Sequence, residues 1–313
     1  MTTYNIYKLV EKAVYELFSE DIKDFLLTMC IFNCFSLEQA MFMMELFKKV
    51  CGEFVMLLQS NSFDIETTRK LMGEFELLLS FTSYNDIIKM SVHHKKACEI
   101  LKEPATIINT KGVWTFGSPS VVYMFYREIG KQEKGVQEII ASMPYYYQLA
   151  NGHGRGAEYV MAAEWYFNQG DFENAEIEVD KALNQARDYN QSAIVICALF
   201  LQTRLTVMKG DYAYTLNLFE KMHDGIEQKR MYALMHTFDM CTGFVNAYLM
   251  QNSKIPVWLS EGNFNSSRLF FPAKAFSNII YGRVLLIRGE YLKLLGIAGQ
   301  FIRDCRGFPQ PIG

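Results

Sequence analysis

The stretch AEWYFNQGDFENAE (residues 163–176) contains a glycine followed by an acidic and an aromatic residue, and this order occurs twice more in the chain. It returns in TRLTVMKGDYAYTL (203–216) and in GRVLLIRGEYLKLL (282–295). Gly170 and Gly210 are 40 residues apart, and Gly210 and Gly289 are 79 apart, which is about twice that spacing. A degenerate unit without the glycine, around Tyr248 to Asn252, fills the gap. The sequence therefore predicts a repeat of about 40 residues.

Each unit has the pattern of a helical hairpin. The glycine ends the first helix in a left-handed conformation, the acidic residue favours the N-terminus of the second helix, and the aromatic ring packs between the two. One hairpin cannot bury its apolar stripe alone, so several must stack. We therefore predict an all-α fold in which residues 45–313 form a right-handed superhelix of stacked helical hairpins. The first helix of each pair would line its inner wall.

The composition excludes several classes of protein. Charged residues make up 21% of the 313 residues and the net charge is -3, which is not typical of a nucleic-acid-binding protein. Seven scattered cysteines, an odd number, favour reduced thiols over a disulfide framework. The longest apolar runs, such as residues 193–201, are too short to span a membrane. We predict a cytoplasmic protein that contacts neither a membrane nor nucleic acid; the oligomeric state is left open.

Three stretches carry a resemblance to a known family: GDFENAEIEVDKAL (170–183), LFSEDIKDFLLTMCIFNCFSLEQA (17–40) and GVWTFGSPSVVYMFYREIG (112–130). Together they resemble the MalT-like, ATP-binding transcriptional regulators of the LuxR class. In that family an ATPase is followed by a winged-helix region, a superhelical tetratricopeptide-like sensor and a DNA-binding helix-turn-helix. The resemblance implies that residues 1–44 are a remnant of the winged-helix region and that the repeats sense a small effector. The relative's effector is a sugar, which makes a saccharide one candidate.

The departures from the family pattern limit what the resemblance implies. No GxxxxGK[ST] phosphate-binding signature occurs in the chain, and the sequence after Gly289 leaves no room for a DNA-binding domain. No serine or cysteine lies in a GxSxG nucleophile pattern. We therefore expect a shortened regulator or a fragment that binds no cofactor and is not an enzyme.

Two local motifs have both a chemical and a structural interpretation. The loop NGHGRG (151–156) has glycines on alternate positions, which suits either a phosphate cradle or a joint between helices. The missing strand before it favours the joint. His94 and Cys98 are four residues apart, a spacing that places two metal ligands on one helical face, but a closed site needs four ligands. The neighbouring lysines favour a solvated basic face, and no metal site is predicted.

The segment around GVWTFGSPS is unusually aromatic for a joint between repeats. Ser118 is predicted to cap a helix that begins near Pro119. The rings either fill a gap between parts of the superhelix or present a surface on which Trp114, Tyr126 and Arg127 contact a ligand.

The repeat register predicts which residues line the inner wall: Glu164, Asn168, Phe200, Arg204, Phe276 and Arg283. Glu164, Arg204 and Arg283 are equivalent residues of successive units, so we expect them to project into one concave groove. Such a groove would bind a small effector or a peptide, whereas the alternative is a solvated face with weak ion pairs. The sequence thus predicts the non-catalytic sensor module of a MalT-like regulator. The alternative is a stand-alone scaffold for protein–protein interaction.

Overall fold

The part of the chain that the structure describes is mainly helical. The structure is a computed structural model that describes residues 49, 52–56, 58, 63–83, 86–108, 110–125, 130–262, 264 and 271–307. These residues contain no strand, which confirms the predicted all-α class. The α-helices of the described residues are α1 (Ile65–Phe81), α2 (Ile87–Leu101), α3 (Val121–Phe125), α4 (Gln132–Leu149), α5 (Ala157–Gln169), α6 (Phe172–Asp188), α7 (Ser192–Met208), α8 (Tyr212–Gln228), α9 (Met235–Tyr248), α10 (Val257–Glu261), α11 (Phe271–Ile287) and α12 (Tyr291–Gly307).

The chain divides into two compact units, Met1–Glu74 and Phe75–Gly313. In the first unit the structure describes only scattered helical residues before position 63 and then the beginning of α1. The predicted winged-helix remnant, residues 1–44, lies outside the described residues. In the described part of the chain, no helix has the length and apolar composition that crossing a bilayer requires.

The glycine-acid turns join consecutive helices in the second unit. α5 ends at Gly170, whose φ is 80°, and Asp171 then caps α6 by accepting a hydrogen bond from the Asn174 N–H at 3.1 Å. The turn between α7 and α8 repeats this arrangement, with Gly210 at φ 76° and Asp211 as the capping residue. Because each turn is so short, the two helices it joins must run antiparallel and pack against each other.

The degenerate unit keeps the turn but shortens the second helix. Met250, 40 residues after Gly210, takes the left-handed conformation with φ 56°. The chain then forms a 3-10 turn at Asn252–Lys254 and the short helix α10, because Pro256 cannot lie in a helix interior.

Helices pack in chain order from α4 to α9, and alternate helices touch as well. α5 contacts α7, α7 contacts α9, and α11 packs on α9. α7 lies in the middle of this row, and its buried residues include the consecutive run from Ile196 to Leu201. A helix that is apolar all round suits such a position, because it has neighbours on every side.

The loop at residues 151–156 is the joint between α4 and α5. Gly152, Gly154 and Gly156 all have positive φ, and Gly156 directly precedes α5. The Gly154 N–H donates to the side-chain oxygen of Gln191 at 2.8 Å, and the Gly156 N–H donates to the Tyr147 hydroxyl at 3.2 Å. These bonds leave neither group available to a phosphate, so the structure agrees with the joint interpretation.

Gly154 is required by packing as well as by its backbone conformation. A Cβ there would overlap the indole of Trp114, whose Cδ1 would lie 2.6 Å away, and φ is +84°. Gly170 offers a matched control, because its φ is +80° but a Cβ would meet nothing within 4 Å. We expect Gly170→Ala to lower the free energy of unfolding by about 1 kcal/mol. Gly154→Ala should lower it by about 3 kcal/mol or more, because the overlap adds to the backbone strain.

Urea unfolding of both variants, followed by circular dichroism, checks this expectation. Equal losses in the two variants would show that Trp114 does not pack against the loop.

Candidate functional site

The predicted inner wall is covered over part of its area by the chain itself. Glu164, Phe200 and Phe276 are 3%, 1% and 1% exposed, respectively. The expectation that they project into an open groove is therefore wrong. The physical reason is that residues 112–125, which we term the aromatic segment, pack on Glu164 and Phe276. Phe200 packs against the rings of Phe244 and Phe276.

The aromatic segment contacts four successive first helices. The backbone N–H groups of Val121 and Val122 donate to Glu164 Oε2 of α5 at 3.0 and 2.9 Å. Further along the row, the segment accepts hydrogen bonds from Cys197 of α7 (3.5 Å, to the Ser118 carbonyl) and Thr237 of α9 (3.0 Å, to the Gly117 carbonyl). The ring of Tyr123 lies edge-on to Phe276 of α11, with centroids 5.2 Å apart.

Glu164 caps the short helix α3 across 42 residues of sequence. Burial raises the pKa of its carboxyl group, while hydrogen bonds from Ser120, Val121 and Val122 and the charge of Arg204 act in the opposite direction. A carboxylate is favourable at a helix N-terminus, because the first backbone N–H groups have no partner within the helix. Glu164 thereby fixes the aromatic segment to α5.

The start of α3 differs from the prediction by two residues. Ser120, rather than Ser118, accepts the hydrogen bond from the Tyr123 N–H at 3.2 Å, and the helix begins at Val121. The Ser118 hydroxyl instead donates to the Ser120 carbonyl at 2.8 Å and shapes the turn before the helix.

Of the three candidates Trp114, Tyr126 and Arg127, the structure describes only Trp114. Trp114 is buried against the Gly154 backbone and lies 5.9 Å from the ring of Phe125, so it fills the interior. Tyr126 and Arg127 lie outside the described residues.

The part of the inner wall around Asn168, Arg204 and Arg283 remains accessible to solvent. Asn168 is exposed, and Arg204 and Arg283 are partly exposed. Arg204 and Arg283 lie among aromatic side chains that the repeat register brings to this end. We term the group the aromatic–arginine cluster; its members are Phe167, Arg204, Phe244, Tyr248 and Arg283.

Both arginines of the cluster stack on rings. The Arg204 guanidinium carbon lies 4.2 Å from the ring centroid of Phe167 and 5.7 Å from that of Phe244. The Arg283 guanidinium carbon lies 3.4 Å from the ring centroid of Tyr248. The centroids of the Phe244 and Tyr248 rings are 4.7 Å apart and the rings are tilted by 34°, so this pair of rings connects the surroundings of the two cations. Such contacts stabilise a guanidinium through its face and leave its edge N–H groups for other partners.

Neither guanidinium has a hydrogen-bond or ion-pair partner within the described part of the chain. Burial lowers the pKa of Arg204, against the opposing charges of Glu164, Tyr123 and Tyr248. The group stays protonated at neutral pH, because the ordinary pKa of arginine is so high. The cluster therefore combines accessible aromatic surface with two positive charges that pair with no carboxylate among the residues the structure describes.

Two members of the cluster could have been found from the sequence. Phe244 follows Arg204 by 40 residues, and Tyr248 follows Asn168 by 80. Extending the repeat register through the degenerate unit would have included both. Phe167 has no such signal; it joins the cluster because the last turn of α5 lies beside α7.

The remaining histidine and arginine motifs lie elsewhere. Arg155 stacks between Tyr147 and Tyr189, with its guanidinium carbon 5.0 and 4.0 Å from their ring centroids, and His153 is buried in the same joint. His94 and Cys98 lie on the buried face of α2, so the expected solvated basic face is wrong for these two residues. No group of three or more side chains in the described regions has the composition of a metal site.

No known protein family, curated protein or solved structure matches this chain. The site is therefore interpreted from its own chemistry.

Removal of the Glu164 carboxylate should destabilise the second unit. Glu164→Ala leaves two buried N–H groups without an acceptor, and we expect the free energy of unfolding to fall by about 3 kcal/mol. Glu164→Gln keeps an acceptor oxygen and should cost less, while exposed Glu173→Ala should stay within about 0.5 kcal/mol of the unaltered protein. Chemical denaturation measures all three. A loss below about 1 kcal/mol for Glu164→Ala would contradict the capping role.

His94 should make the fold sensitive to acid. It is 2% exposed, neither ring nitrogen has a partner among the described residues, and burial lowers its pKa to about 4. Because the unfolded chain binds a proton near pH 6.5 and the folded chain does not, this group destabilises the fold increasingly as pH falls from about 6.5 to 4. The full loss is about 3 kcal/mol.

Denaturant unfolding at several pH values tests this effect. His94→Phe should remove that part of the pH dependence, whereas exposed His223→Gln should retain it. An unchanged pH dependence in His94→Phe would show that His94 is not the group responsible.

Proposed function

We propose that the chain is a non-catalytic sensor and interaction module of the MalT-like type, which binds a small effector or a regulatory partner at the aromatic–arginine cluster. The proposal includes the arrangement of the repeats as a right-handed, tetratricopeptide-like superhelix.

The superhelical arrangement is supported by the order of helix contacts. Each helix from α5 to α8 packs on the next, and the first helices α5, α7, α9 and α11 form a continuous row. This pattern is typical of stacked helical hairpins, in which each pair contacts mainly its neighbours. The glycine-acid turns at Gly170 and Gly210 fall in the places that a 40-residue repeat requires.

The observation that carries the binding function is a pair of arginines on one accessible aromatic surface, neither of which has a hydrogen-bond or ion-pair partner among the described residues. Removing a cation from water is costly unless the protein supplies hydrogen bonds or an opposite charge. Ring faces supply only part of this stabilisation. A bound molecule that hydrogen-bonds the guanidinium edges would supply the rest, and the neighbouring rings would hold its apolar part.

A non-catalytic role fits the chemistry of the same region. Aromatic rings and guanidinium groups bind and orient molecules but do not exchange protons near neutral pH. The buried thiols nearest the row, Cys197 and Cys241, have a pKa raised well above the usual range by burial, so they are poor nucleophiles.

A thermal-shift screen of saccharides and other metabolites tests the proposed function. A specific ligand at 100 times its dissociation constant stabilises the protein by about 2.7 kcal/mol and should raise Tm by roughly 5 °C. Arg204→Glu and Arg283→Glu should abolish the shift, because they reverse the charge of the cluster. Arg187→Glu, an exposed arginine of α6, is the matched control and should leave the shift intact.

Other outcomes of the screen separate the alternatives. No shift with any metabolite, together with a protein partner that is lost on either reversal in the cluster, would favour the interaction scaffold. Binding that survives both reversals would show that the cluster is not the site.

A further inference from the structure

We propose that the aromatic–arginine cluster is an anion site, and that it takes a small organic molecule with a carboxylate or phosphate group attached to an aromatic or apolar body. This inference rests on the proposed function, because it assigns the chemical class of the ligand to the same surface.

Three aromatic rings lie around the Arg204 guanidinium. Its guanidinium carbon lies 4.2 Å from the ring centroid of Phe167, 5.9 Å from that of Phe200 and 5.7 Å from that of Phe244. Rings on several sides satisfy the faces of a planar cation and offer no acceptor to its edge. The edge carries N–H donors in a fork whose spacing matches the two oxygens of a carboxylate or phosphate.

The charge of Arg204 has no ion-pair partner among the described residues. The groups whose charges act on Arg204 are Glu164, Tyr123 and Tyr248. Of these only Glu164 is an acid of ordinary strength, and its Oε2 already accepts the N–H groups of Val121 and Val122. Glu164 forms no ion pair with Arg204. The described residues therefore supply no hydrogen bond to the edge of this partly exposed guanidinium, and an anion bound there would provide hydrogen bonds together with the opposite charge.

The rings of the cluster offer a surface for the apolar part of a ligand. Phe167 and Phe244 are partly exposed and Tyr248 is 50% exposed, so the cluster presents ring surface beside its cations. Arg283 stacks on the far side of the Phe244–Tyr248 pair. A molecule that places its anionic group on one arginine can therefore lay an apolar part on the rings. A neutral sugar would leave both cations without an anion.

Matched probe pairs test the ligand class. Benzoate is compared with benzamide, and phenyl phosphate with phenol, by thermal shift and by calorimetric titration of the full chain. We expect the anionic member of at least one pair to bind and its neutral partner to bind at least about 10-fold more weakly.

Arginine variants locate the interaction. Arg204→Gln should weaken binding of the anionic probe by about 10- to 100-fold, because it removes a charge-assisted hydrogen bond. Arg204→Lys keeps the charge but loses the fork, so it should recover only part of the affinity. Arg283→Gln should also weaken binding, while Arg187→Gln should not. Circular dichroism of each variant confirms that it is folded before its affinity is compared.

The outcomes distinguish this inference from the proposed function. If neutral probes bind as tightly as the anions, and Tyr248→Ala abolishes that binding, the site stands and its anionic selectivity is wrong. If anionic probes bind equally to the Arg204→Gln and Arg187→Gln variants, binding is non-specific and the anion site is excluded. If none of the four probes binds at concentrations of about 10 mM, the anion inference is overturned, and the proposed function is decided by the wider screen.

Discussion

The acceptance of two backbone N–H groups by Glu164 is the interaction on which the rest of the site depends. It joins the start of α3 to the middle of α5, and so brings the aromatic segment onto the row of first helices. Tyr123 of that segment packs on Phe276, and Phe276 in turn packs on Phe200, so both rings are buried. Without a carboxylate at this position, the N–H groups of Val121 and Val122 would be buried without partners, which costs more than the bond itself contributes.

Much of the fold follows from local sequence. Glycine is the residue that most easily takes the left-handed conformation, and an aspartate after it readily caps a helix, so the turns at Gly170 and Gly210 could be predicted. The burial of Glu164 could not. A charged residue at a regular helical position has the sequence pattern of a surface residue, and its partners are backbone groups more than 40 positions earlier in the chain. Backbone donors leave no trace in a sequence pattern.

The candidate site was predictable only where its residues repeat. Arg204 and Arg283 follow from the register, and both stack on rings at the accessible end of the row. Phe244 and Tyr248 belong to the unit that lost its glycine, and Met250 keeps the turn there despite the cost of a left-handed conformation in a residue with a side chain. A turn maintained without its usual residue hides a repeat from sequence comparison while preserving its geometry.

Equivalent positions of a repeat can thus hold different chemistry because their coverings differ. Glu164 and Arg204 occupy the same place in successive hairpins, but Glu164 accepts backbone hydrogen bonds from the aromatic segment, whereas the Arg204 guanidinium lies against ring faces. A carboxylate beneath the segment finds backbone donors and becomes part of the fold. A guanidinium beside the rings finds no acceptor among the described residues, and its edge stays available. On this wall, contact with the aromatic segment therefore decides whether a residue stabilises the fold or stays available to bind a ligand. Its position in the repeat does not.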